Sequence, residues 1–195
     1  MPKFVRGLAL IVGLSLLAYA TPYVVSQDNK AKPIQKDLLE IAADLEAGKD
    51  VAAKVKAFRK KHTDLDEVMH AYKPRGRGGV GVDSKANDKT DGLELKFNAL
   101  AKRALAPAAL KKEKELLIKA AYVNLAMAKI TLEYPPERPK NGKGAKEWTK
   151  LTQEMEKGTK EMIEALKKDD PAALKKAVTE VNNACNTCHS EFRDA

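Results

Sequence analysis

The chain has 195 residues, 36 Lys and Arg against 27 Asp and Glu, a formal net charge of +9, and two cysteines. So few cysteines exclude a disulfide-stapled scaffold. No basic run is interleaved with aromatic residues, which argues against a nucleic-acid binder. Ala, Leu, Lys and Glu dominate and only 5% of residues are aromatic, a composition that reads as all-α.

The chain begins with a segment that has the grammar of a secretory signal. Lys3 and Arg6 form a basic start, Leu8 to Tyr19 a short apolar run, and Ala18-Tyr19-Ala20 an A-x-A-like cleavage site. The expected division is a signal peptide over 1–20 and one domain over 21–195. The apolar run can be extended to Val25, but Thr21-Pro22 interrupts it, so an uncleaved anchor is the less favoured alternative. Taking Lys3 and Arg6 away with the signal lowers the formal charge from +9 to +7.

The periodicity then marks helices in order. Ile34, Leu38, Ile41 and Leu45 recur at helical spacing from about Ile34 to Ala47, and Gly48 is the stop. Asp50 to Lys61 reads as a second helix. Thr63 to Tyr72 reads as a third, with Thr63 as its cap and Asp66 and Glu67 in the first turn. These three form either one bent element or separate short helices. Lys73 to Gly92 is a loop with five glycines and one proline. Leu93 to Leu132 is helical, with a break or kink expected at Pro107. Tyr134 to Gly144 is a Pro/Gly linker. Ala145 to Lys168 carries Trp148, Leu151, Met155, Met162 and Leu166 on one stripe. The last helix opens at Asp170-Pro171, an N-cap followed by proline at the first helical position.

That last helix ends in Cys185-Asn186-Thr187-Cys188-His189. C-x-x-C-H is the pattern for covalent attachment of a c-type haem. Thiols three residues apart lie on one helix face, where both reach the vinyl groups of one porphyrin. The histidine next in sequence supplies the proximal iron ligand. Leu174, Ala177, Val178, Val181, Cys185 and Cys188 share one stripe, so the haem is expected against the bundle core. A disulfide between Cys185 and Cys188 is an alternative in an exported protein, whereas a thioredoxin-like redox pair normally sits at a helix start near a βαβ pattern, and no strand pattern occurs here. Zinc requires four ligands, and His62 and His70 have no finger-like spacing to the cysteines.

The region from Pro136 to Arg193 resembles the class II c-type cytochromes, the cytochrome c′ group. The resemblance rests on the Pro-rich lead-in, the Trp148 helix, the Lys168-Asp169-Asp170-Pro171 turn and the closing Ala184-Cys185-Asn186-Thr187-Cys188-His189 with Phe192-Arg193. It implies an antiparallel four-helix bundle, here with a split first helix. It also implies one haem c, held covalently by Cys185 and Cys188 with His189 on the iron. The longer N-terminal half, with its break at Gly48 and its glycine loop, departs from the family pattern.

The other face of the iron decides between electron transfer and gas binding. The start of the first helix offers only Ile34, Leu38, Leu39 and Ile41. Met69 is the leading candidate for distal ligand, an open site is the next reading, and His70 is the second choice of ligand. Leu65, Val68, Met69 and Tyr72 share an apolar face that turns Met69 inward. Met127, Met155 and Met162 read as packing residues. Lys73, Arg75 and Arg77 in the glycine loop are candidates for propionate pairing if Met69 reaches the iron. Gly76 to Gly81 matches G-x-G-x-x-G, but a helix precedes it and a loop comes after, so it is no dinucleotide site.

The expectation is therefore a periplasmic or otherwise exported mono-haem electron carrier, with a five-coordinate nitric oxide or carbon monoxide binder as the alternative. An enzyme such as a peroxidase requires a distal acid or base, which only His70 or His62 can supply, and ranks last. The expected partner is a redox protein with an acidic surface. Membrane contact is expected only through an uncleaved signal, and the resemblance allows a homodimer.

Overall fold

The computed structural model describes residues 33–193. The signal segment 1–20 lies outside the described residues. The described residues form seven α-helices in this order: α1 (Pro33–Glu46), α2 (Ala52–Lys61), α3 (Leu65–Met69), α4 (Leu93–Lys102), α5 (Pro107–Leu132), α6 (Ala145–Lys167) and α7 (Pro171–Cys188). A five-residue π-turn, His189–Arg193, continues α7. The described residues form no strand, and none of their helices is long and apolar enough to cross a membrane.

Local chemistry sets the boundaries. α1 ends because Gly48 takes the left-handed conformation, φ +72°, which side chains other than glycine rarely adopt. The third helix starts one residue later than its sequence suggests. Asp64 rather than Thr63 caps it, its carboxylate accepting from the Asp66 amide at 2.8 Å. The helix then tightens into a 3-10 turn, His70–Tyr72. Pro107 does not kink a continuous helix. Residues 103–106 interrupt it, and Pro107 opens α5, where its missing N–H costs nothing. Asp170 caps α7, accepting from the Ala172 and Ala173 amides at 3.0 and 2.9 Å.

The fold is all-α, as in a four-helix bundle, and its first element is split into α1, α2 and α3. α6 packs along both α5 and α7, α1 lies on α5, and α4 lies on α7. Leu117, Met127, Ile130, Met162, Leu166 and Val178 are almost completely buried between these helices. Gly158 permits the close approach of α6 and α7. A Cβ there would stand 3.0 Å from Val181 Cγ2 and 3.3 Å from its backbone nitrogen.

One buried polar thread crosses this core. The Tyr72 hydroxyl donates to Asn124 Oδ1 at 2.7 Å. Asn124 Nδ2 donates to Thr159 Oγ1 at 2.6 Å, and Thr159 donates to the Met155 carbonyl at 2.6 Å. Each polar group is thereby satisfied away from water. Trp148 Nε1 likewise donates to the Thr131 carbonyl at 2.9 Å and ties the start of α6 to the end of α5.

These contacts set two expected stability effects. Gly158→Val forces α6 and α7 apart and should cost about 1–3 kcal/mol in denaturant unfolding. Asp170→Ala removes a two-bond cap and should cost about 1 kcal/mol in the same assay.

Candidate haem site

The terminal motif opens into a cavity of about 550 Å³. Its walls come from α3 and the turn after it, from α4, from the first half of α6, and from the end of α7 with its π-turn. The period of α7 explains why the cysteines face it. Val181 is fully buried against α6, and Cys185 and Cys188 lie four and seven residues further on the same face. Both are unbonded thiols, partly buried at the cavity wall. Cys185 Sγ lies 3.7 Å from Met155 Sδ.

Burial raises both thiols. Cys185 is pushed up to about 12, first by loss of hydration and then by Cys188 and Glu94. Cys188 is pushed up to about 11 by burial alone. Both are therefore neutral thiols at physiological pH, without the lowered pKa of a reactive redox cysteine. Among the described residues no cluster of three His, Cys, Asp or Glu side chains is arranged to hold a metal ion. The Tyr72 phenol is also held well above its ordinary range by burial, with Cys185 adding to the effect.

His189 begins the π-turn and lines the cavity, partly exposed. Its backbone amide donates to the carbonyls of Cys185 and Asn186, which locks the residue to the helix end. Arg193 Nη1 stands 3.2 Å from His189 Nδ1, one turn on. Phe192 is buried and meets Trp148 edge-on, with ring centroids 5.1 Å apart.

The structure brings Met69 and His70 to the same cavity as Cys185, Cys188 and His189. Met69 is partly buried and packed against the core, whereas His70 is exposed at the start of the 3-10 turn. His62 is not a cavity residue. Its Nε2 pairs instead with Asp37 of α1 at 2.8 Å.

Arg75 and Arg77, expected as propionate contacts, are not among the residues that line the cavity. Asp91, completely buried, captures Arg75 instead. Arg75 Nη2 donates to Asp91 Oδ1 at 2.9 Å and to the Asp83 carbonyl at 2.7 Å. The Val82 and Asp83 amides donate to the same carboxylate at 3.0 and 2.9 Å. A buried carboxylate requires such partners, so the loop folds around its own ion pair. The basic side chains that do line the cavity are Lys73, Lys140 and Arg193.

Sequence reasoning also missed Met155. It belongs to the α6 stripe and packs there, but its sulfur meets Cys185. Phe97 of α4 is a second missed wall residue, visible in sequence only as one apolar position among many. Arg193 had a usable signal, because it lies four residues after His189 on a helical turn.

Residues 141–193 match the family model of cytochrome c′. Over this stretch the chain is similar to cytochrome c′. The match covers α6, α7 and the π-turn, including both cysteines and His189. No curated protein and no solved structure matches the chain. The cytochrome c′ match implies haem binding, and the site fits it. A cavity of about 550 Å³ is within the usual range for a cofactor, roughly 300–1,000 Å³. Two unbonded thiols and an imidazole open into it beside Leu65, Phe97 and Leu151.

The raised thiols give a direct check on the site. In the haem-free protein, alkylation of Cys185 and Cys188 by iodoacetamide should be slow at pH 8. Its rate should climb about tenfold per pH unit until about pH 11, because only the thiolate reacts. The urea-unfolded chain should instead level off near the ordinary thiol value of 9.0.

Proposed function

We propose that this protein is an exported, periplasmic mono-haem c-type cytochrome that carries electrons. One observation carries the reading: Cys185, Cys188 and His189 open into a single cavity that Met69 also lines. Cys185 and Cys188 would hold the haem through thioethers, and His189 and Met69 would be the side chains offered to its iron. Haem c supplies one-electron exchange between ferric and ferrous iron. The chain's part is to fix the group and keep water from it. The partly buried position of Met69 beside Val68 supports its choice over the exposed His70. A thioether ligand also favours a higher potential than a second imidazole.

The apolar walls at Leu65, Phe97 and Leu151 support a second reading. In it the distal side is open and the protein binds nitric oxide or carbon monoxide. The signal-like segment supports export. The net positive charge supports a partner with an acidic surface, met faster at low salt.

Absorption spectra of the purified ferric and ferrous protein separate the two readings. Methionine ligation predicts a low-spin ferric spectrum and slow carbon monoxide binding. Met69→Ala should abolish the low-spin signature, and His70→Ala should leave it intact. A high-spin wild type that binds carbon monoxide at once would establish the gas-binding reading instead.

A further inference from the structure

The cavity wall includes a cation that the haem reading leaves without a role. Lys140 sits in the linker before α6, at the start of a two-residue hairpin. Its amide donates to the Lys143 carbonyl at 2.8 Å, and the Lys143 amide returns a bond to the Lys140 carbonyl at 2.7 Å. The central residues Asn141 and Gly142 both have positive φ, 47° and 73°, as a type I′ turn requires. The turn therefore fixes where Lys140 leaves the backbone.

The side chain then crosses to the haem-motif helix. Lys140 Nζ donates to the Phe192 carbonyl at 2.8 Å. Phe192 is the fourth residue of the turn that begins at His189 and is itself wedged against Trp148. Carbonyls at a helix end lack intrahelical donors and attract cations. Lys140 meets that need and also lines the cavity with Cys188, His189 and Arg193. Among charged cavity residues, Lys73, Lys140 and Arg193 are basic, and Asp66 and Glu94 are acidic.

We propose that Lys140 is a positioning residue for the haem: it latches the π-turn that bears His189, and its charge holds the reduction potential up. The inference rests on the haem reading given above. Reduction adds an electron to the group in the cavity. A cation held at the cavity by a fixed turn and a hydrogen bond lies close to that added charge and favours the reduced state more than the same charge on a distant, screened surface. A lysine that only tidied the helix end would leave the potential unchanged when removed.

The test is a redox titration of the purified holoprotein and three variants. Lys140→Met should lower the midpoint potential, and Lys140→Arg, which keeps the charge and the donor, should restore most of it. Lys157→Met removes the same unit of charge from the exposed face of α6 and should leave the potential where it was. Lys140 is an exposed residue outside the helices, so Lys140→Met should keep the helical circular dichroism of the wild type. A Lys140→Met potential equal to the wild type, or an equal fall in Lys157→Met, would overturn the inference. A wild type that carries no covalent haem on a denaturing gel after expression with a c-type maturation system would overturn the haem reading itself.

Discussion

The close packing of α7 on α6 is the constraint on which the site depends. It is tightest where Gly158 meets Val181, a contact closer than a Cβ normally makes. Once Val181 is buried there, the helical repeat fixes the direction of every later residue of α7. Cys185 and Cys188 must turn to the same side as Val181, and His189 comes next at the helix end. The rotation of one helix thus delivers two thiols and an imidazole to one cavity.

The rest of the architecture closes that cavity. Trp148 pins the start of α6 to the end of α5 and receives Phe192 from the π-turn. The Tyr72–Asn124–Thr159 thread holds the turn after α3 against the core, with Met69 three residues before Tyr72. Satisfied buried polar groups of this kind specify one arrangement more sharply than apolar contacts do. The glycine loop closes on itself through Asp91 and Arg75, and only Lys73 at its start lines the cavity. Gln35 of α1 donates to the Gly78 carbonyl and joins that loop to the first helix.

Much of this is legible in the sequence, for identifiable reasons. The last two helices have strong stripes and clear caps, so their limits can be read within a residue or two. Pro107 marks a discontinuity, but a proline at the first position of a helix and one inside a helix look alike without the preceding backbone. Thr63 and Asp64 are adjacent capping candidates, and only the path of the chain selects Asp64. Arg75 and Arg77 look like cofactor contacts in sequence because a basic loop comes soon after Met69. Asp91, sixteen residues beyond Arg75, carries no sequence sign of its burial, yet it is the partner that holds Arg75.

The sequence by itself determined the all-α character and the terminal motif with its place on an apolar helix face. These are local properties, carried by residues within a few turns of one another, and the spacing of C-x-x-C-H is itself the chemistry. Only the tertiary structure decided what surrounds the motif. Met155, Phe97 and Lys140 come from three separate segments, and no periodicity within any one of them reveals a shared destination. The cavity is made by helix packing and by a two-residue hairpin, so its walls, and the charge they carry, belong to the folded chain.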